Sequence, residues 1–182
     1  MDRALVVYES MFGNTRTIAQ AVADGVSSAM DTELVEVGDA PTRIPNDVSL
    51  LVVGGPTHAF GLSRGRTRED AARQAGHRVI SATKGLREWL SEVHGRPGLA
   101  AVTFDTRIER PRVPGSAARA AERKLRRGGF TIAVPARSFY VTGTTGPLSD
   151  GEADRARRWG EGIARRVDLH RTERMYEPAG EA

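Results

Sequence analysis

The chain has no cysteine among its 182 residues, which excludes disulfides, thiolate metal sites and cysteine catalysis. Lysine is almost missing: Lys84 and Lys124 stand against a large majority of arginine in a Lys+Arg total of 27. Aromatic residues make up only 5%. Nucleic-acid modules interleave aromatic rings with positive charge gathered on one face. Here a formal net charge of +4 is scattered among 23 acidic residues, so nucleic acid is not expected as a partner. No apolar run approaches the ~20 residues of a membrane span, and Met1-Asp2-Arg3 passes directly into an apolar segment without space for a secretory leader. The expectation is a cytoplasmic protein with no membrane insertion. No metal-ligand cluster, useful carboxylate pair or Ser-His-Asp arrangement stands out, so no metal is expected and catalytic residues are not identified.

Helical and strand periods alternate along the whole chain. Ala4-Leu5-Val6-Val7 reads as a first strand, followed by a helix whose apolar stripe is Ile18, Val22 and Val26. Glu33 to Val37 alternates as an edge strand does. Leu50 to Val53, ending at Gly54-Gly55-Pro56, is an unbroken apolar run suited to burial on both faces. Leu86, Trp89, Leu90 and Val93 mark the next helix, and Leu99 to Phe104 a fourth strand. Ser116 starts and Gly128-Gly129 stops a further helix. A fifth strand runs from Phe130 to Val134, with Ser138 to Val141 resuming it beyond Pro135. Ser149 and Glu152 stand at capping-box spacing before a last helix carrying Ala156, Trp159, Ile163 and Val167. One domain over residues 1–167 is expected, with 168–182 a polar, flexible tail.

Strands alternating with helices imply a parallel sheet covered on both sides by right-handed crossovers. The expected class is α/β, a three-layer α-β-α sandwich with five parallel strands in the order 2-1-3-4-5. In such sheets ligands lie at the carboxyl ends of the strands, where the connections diverge. The turn after the first strand is Ser10-Met11-Phe12-Gly13-Asn14-Thr15. It can aim backbone N–H groups and hydroxyls at one point in front of a helix N-terminus, an arrangement suited to phosphate.

From Ala4 to about Ala164 the chain resembles the flavodoxin family, itself a standard example of this strand order. Ser10, Gly13, Asn14 and Thr15 match the family's phosphate loop, while Phe12 replaces its usual threonine. The resemblance implies FMN as cofactor, its phosphate held by Ser10, Asn14, Thr15 and the backbone N–H groups of Met11, Phe12, Gly13, Asn14 and Thr15. It places a second flavin loop at Pro56, Thr57, His58, Phe60 and Gly61, with Phe60 the candidate for ring stacking. A third is expected after strand four, at Thr103, Phe104, Asp105 and Thr106, mostly through backbone, although the family's Tyr and Gly-Asp pair are missing. Residues 62–82 look like an insertion, with Thr67 and Asp70 capping a short Arg-rich helix that overhangs the crevice as a lid or docking surface, or forms a solvated extra turn.

The resemblance implies electron transfer, with a redox partner protein or a small-molecule electron acceptor. Two alternatives remain open: an FMN-dependent NAD(P)H:quinone or flavin reductase type of oxidoreductase, and a flavin-free binding module. Oligomeric state is open. Arg64, Arg66 and Arg68 flank one expected flavin loop, and Arg107, Arg110 and Arg112 the other. A positive charge ~10 Å from a reduced flavin would stabilise its negative charge by about 0.4–1.7 kcal/mol. A less reducing flavin than in acidic relatives is therefore expected.

Overall fold

The computed structural model describes residues 3–58, 61–75, 79–110 and 114–175. Its chain order is β1 (Arg3–Tyr8), α1 (Asn14–Val26), β2 (Asp31–Glu36), β3 (Val48–Pro56), α2 (Gly65–Ala75), α3 (Leu86–Glu92), β4 (Ala100–Ile108), α4 (Ala117–Arg127), β5 (Thr131–Ile132), β6 (Arg137–Val141) and α5 (Glu152–Met175). The apolar runs of β1 and β3 are buried on both faces because they occupy the middle of the sheet. Strand order is β2-β1-β3-β4-β5, all neighbours parallel, with β6 also pairing with β4. Alternation along the strands divides the core. Leu5, Val7, Leu51 and Val53 join Leu86, Trp89 and Leu125 on one face. Ala4, Val6, Leu50 and Val52 join Ile18, Val22 and Ile163 on the other. Each large apolar side chain removed from water in this way contributes about 1.5–3 kcal/mol.

The two helices on the second face, α1 and α5, approach unusually closely. A Cβ on Gly160 would lie 2.4 Å from the Val22 carbonyl oxygen, and one on Gly25 2.1 Å from that of Arg157. These two glycines let helix backbones touch where any side chain would hold them apart.

Several boundaries differ from the sequence reading, each for a physical reason. The fifth sheet position is shared: β5 contributes two residues beside the start of β4, and β6 takes over beside its end. That second partner keeps β4 extended to Ile108, so Thr103, Phe104, Asp105 and Thr106 belong to a strand and not to a following loop. The capping box expected at the last helix does not form. The Glu152 carboxylate instead accepts the Tyr140 N–H at 2.7 Å and pairs with Arg155. Helix α5 continues to Met175, so residues 168–175, expected in a loose tail, are helical. Among the described residues no helix is long and apolar enough to cross a membrane.

Candidate functional site

Parallel pairing places the carboxyl ends of β1, β3 and β4 level: Tyr8 is opposite Gly54, which is opposite Phe104, and Pro56 is opposite Thr106. A narrow cleft, open to solvent, lies there.

The turn from β1 into α1 forms one wall. Gly13 sits at φ +94°, a left-handed conformation that costs glycine little. The Ser10 Oγ accepts hydrogen bonds from the N–H groups of Gly13 (3.2 Å) and Arg16 (3.3 Å) and so holds the turn closed. The N–H groups of Met11, Phe12, Asn14 and Thr15 have no partner among the described residues. They surround the N-terminus of a 13-residue helix, whose dipole favours negative charge. Thr15 Oγ1 and Thr106 Oγ1 lie 2.7 Å apart, tying the turn to the end of β4. Asn14 does not cap the helix; its side-chain amide donates to the Thr145 carbonyl at 2.9 Å, bringing the turn after β6 to the rim.

The segment after α2 braces this wall. The Ser10 N–H donates to Ser81 Oγ and the Ser81 N–H to the Ser10 carbonyl, both at 2.9 Å, while Ile80 N–H reaches the Met11 carbonyl at 3.3 Å. Ser81 Oγ in turn donates to Glu36. Met11 packs with Ala71 and Val79, and Phe12, Ala72 and Ala75 close the cluster. Met11 is therefore the apolar seat of α2, with Phe12 at the edge of the cluster. One face of the inserted helix, at Ala71, Ala72 and Ala75, packs on this cluster, while Arg66, Glu69, Asp70 and Arg73 are exposed. Thr67 does tie its start, exchanging hydrogen bonds with Arg64.

The second wall is β3 and its continuation. Thr57 N–H donates to the Thr106 carbonyl at 2.9 Å. Its hydroxyl donates to Asp105 and accepts the Ala117 N–H, each at 2.9 Å. His58 and Gly61 exchange backbone hydrogen bonds at 2.9 Å. Burial pushes the His58 imidazole below its usual range, with the Arg68 charge adding to the effect, and its Nε2 has no partner among the described residues. Phe60, the stacking candidate, lies outside the described residues.

The cleft lining brings together Ser10, Met11, Phe12, Asn14, Thr15, Pro56, Thr57, His58 and Thr106. Gly13, in the turn, and Gly61, bonded to His58, are outside the lining. Three expected residues have other surroundings. Thr103 is fully buried. The Phe104 ring covers Gly54 and stacks edge-on with Phe139 and Trp159 at 6.0 and 6.3 Å. The buried Asp105 carboxylate accepts from Thr57, Ser116 and the Ala118 N–H at the start of α4. All three side chains are drawn inward because β4 remains a paired strand past them. Conversely, Ile108, Val141 and Thr144 line the cleft and were not foreseen. Arg107 also lines it, although its sequence position suggested only a flanking charge. The polar run Thr142-Gly143-Thr144-Thr145-Gly146 directly after an apolar strand was the available signal for this side.

Behind the first wall is a buried ionic cluster. Arg68 is only 6% exposed and bonds Glu88 at 3.2 and 3.3 Å and Ser63 at 3.1 Å. It therefore does not flank the cleft as a surface charge. Glu9, 1% exposed, accepts the Leu86 N–H at 2.8 Å. Burial pushes its carboxyl up, against the opposing pull of Ser63, the Leu86 amide and Arg68. No group of three or more potential metal ligands occurs among the described residues.

Residues 6–93 match the family model described as flavodoxin. No curated protein matches the chain significantly. Among solved structures, a flavodoxin from the domain Archaea is similar at 20% identity and a TM-score of 0.61, over 91% of this chain and 99% of that one. The oxidised Flavodoxin 1 of Bacillus cereus is similar at 14% identity and 0.65, over 90% and 98%. A metal-soaked flavodiiron core from Synechocystis is similar at 17% identity and 0.63, over 93% of this chain but 36% of that one. At these identities the likeness to solved structures concerns the fold.

Proposed function

We propose that the chain, whose residues 6–93 match the flavodoxin family model and whose parallel sheet has the strand order β2-β1-β3-β4-β5, binds FMN and carries electrons to a redox partner. One observation carries this reading: four N–H groups with no partner among the described residues surround an α-helix N-terminus, braced by the Ser10 hydroxyl, at the wall of an open cleft. This donor set fits a phosphate monoester, since each hydrogen bond to a charged group contributes about 1.5–3 kcal/mol. Ser10, Met11, Phe12, Asn14 and Thr15 would hold the phosphate and Gly13 the geometry of the turn. Pro56, Thr57, His58, Phe60, Gly61 and Thr106 would border the ring. The bound flavin supplies the electron chemistry; the chain binds it, orients it and sets its electrical surroundings. Thr103, Phe104 and Asp105 serve by holding β4 and α4 in place.

Titration of the purified protein with FMN tests the proposal. Saturating FMN at about 100 times its dissociation constant stabilises the fold by about 2.7 kcal/mol, or roughly 5–11 °C in melting temperature at this chain length. Riboflavin, which lacks the phosphate, should bind far more weakly. A colourless protein whose melting point is unmoved by excess FMN would refute the reading.

A further inference from the structure

Of the N–H groups around the start of α1 that have no partner among the described residues, those of Asn14 and Thr15 are aimed by the helix they open. Those of Met11 and Phe12 precede the helix in an irregular turn, so something else must set their direction. We propose that Ile80 and Ser81, from the segment after α2, are positioning residues that aim the Met11 and Phe12 N–H groups at the FMN phosphate and so make the site selective for the phosphorylated flavin. The inference rests on the FMN reading above.

A trans peptide unit is planar, with its carbonyl and its N–H on opposite sides, and both units concerned are trans. The unit joining Ser10 to Met11 is held at its carbonyl by the Ser81 N–H at 2.9 Å, which turns the Met11 N–H the other way. The unit joining Met11 to Phe12 is held likewise, by the Ile80 N–H on the Met11 carbonyl at 3.3 Å, which turns the Phe12 N–H. Two consecutive carbonyls thus face the segment after α2, and the two N–H groups leave together on the side away from it. Successive N–H groups gathered on one side form an anion-binding concavity, here in two residues that line the cleft. Ser81 also holds the preceding unit, accepting the Ser10 N–H on its Oγ at 2.9 Å. The proton of that hydroxyl goes to Glu36 on β2, whose other oxygen accepts the Gly38 N–H at 2.8 Å, so the hydroxyl is left to act toward Ser10 as an acceptor. Ser10 and Ser81 are 0% and 1% exposed, and water cannot take over these bonds. Without the hydroxyl the buried Ser10 N–H loses its partner, an arrangement costly enough to let the turn and its two peptide units rotate.

The test compares the parent with Ser81→Ala in the binding of FMN and of riboflavin, which shares the ring but lacks the phosphate, and follows the backbone amides by NMR of isotope-labelled protein. FMN should move the Met11 and Phe12 amide protons of the parent downfield together with those of Asn14 and Thr15. S81A should bind FMN roughly tenfold more weakly, equivalent to about 1.4 kcal/mol, with riboflavin affinity kept within about twofold. Its Met11 and Phe12 shifts on FMN binding should shrink while those of Asn14 and Thr15 persist. An unchanged FMN affinity, equal losses for FMN and riboflavin, or Met11 and Phe12 shifts as large as the parent's would overturn the inference and leave FMN binding intact. If S81A does not fold, the parent decides the matter. All four amides moving with FMN supports the inference, and Met11 and Phe12 staying in place while Asn14 and Thr15 move overturns it. A parent that binds no FMN overturns both this inference and the reading it rests on.

Discussion

Gly160→Ala sets two known effects against each other. Alanine is favoured over glycine inside a helix by about 1 kcal/mol, so on propensity alone the variant should be more stable. The new Cβ, however, would meet the Val22 carbonyl oxygen at 2.4 Å and the Gly25 Cα at 3.2 Å. Backbone cannot rotate aside as a flexible side chain can, so α1 and α5 must separate by about 1 Å, and overpacking of this kind costs roughly 1–3 kcal/mol or more. A gap of that size also forfeits about a quarter to a half of the dispersion attraction between facing groups, here Ile18, Val22 and Val26 against Ala156 and Ile163. Taking the upper end of the clash and subtracting the propensity gain leaves a net loss of about 2 kcal/mol, or roughly 4–8 °C in melting temperature at this chain length. Urea denaturation followed by circular dichroism measures it, with an unchanged m-value confirming that the loss is native-state stability. Gly25→Ala should behave alike. The double variant should lose less than the sum, because one separation relieves both contacts. A Gly160→Ala protein stabilised by about 1 kcal/mol, or strictly additive losses, would refute the close-approach argument.

Further outcomes follow from the site. Ser10→Ala removes the acceptor that holds the Gly13 and Arg16 amides; FMN affinity should fall about 5- to 30-fold, for a loss of about 1–2 kcal/mol, measured by quenching of flavin fluorescence. Binding unchanged within twofold would show that the turn closes without the hydroxyl. Glu9 has a folded-state pKa raised above its ordinary 4.5 by burial, so the folded protein binds more protons than the unfolded chain across that interval. Its contribution is full below 4.5 and is lost as pH rises through the raised value. Glu9→Gln should remove that part of the slope, so its melting temperature should gain on the parent's as pH increases through the interval. Parallel melting-temperature curves for the two proteins would contradict the buried, partly unpaired carboxyl.

The central strands, the helix stripes and the sheet order were legible because they depend on local periodicity and on which strands bury both faces. Val6, Ile18, Leu51 and Trp89 announce their burial by spacing alone. The phosphate-type turn was legible for a similar reason: Ser10, Gly13 and Thr15 act within six residues of one another. Contacts formed across long separations were not. Nothing near Thr103–Thr106 signals that β6, more than thirty residues later, keeps them in a strand. Nothing around Met11 signals that Ala71 and Val79 will cover it. Glu152 stood at the spacing of a local cap, but a distant donor, the Tyr140 amide, took its carboxylate instead. Arg68 looked like its exposed neighbours Arg64 and Arg66, and only the arrival of Glu88 separates them.

The hydrogen bonds between Ser10 and Ser81 mean that the grip on an anion is a two-piece device, assembled from segments some seventy positions apart. Transplanting residues 10–15 alone onto another parallel sheet would bring the donors without their brace. A graft meant to keep the grip would have to include residues 79–81 and an apolar cover for Met11. Such a dependence also makes the insertion costly to delete, however superficial it looks in the primary structure.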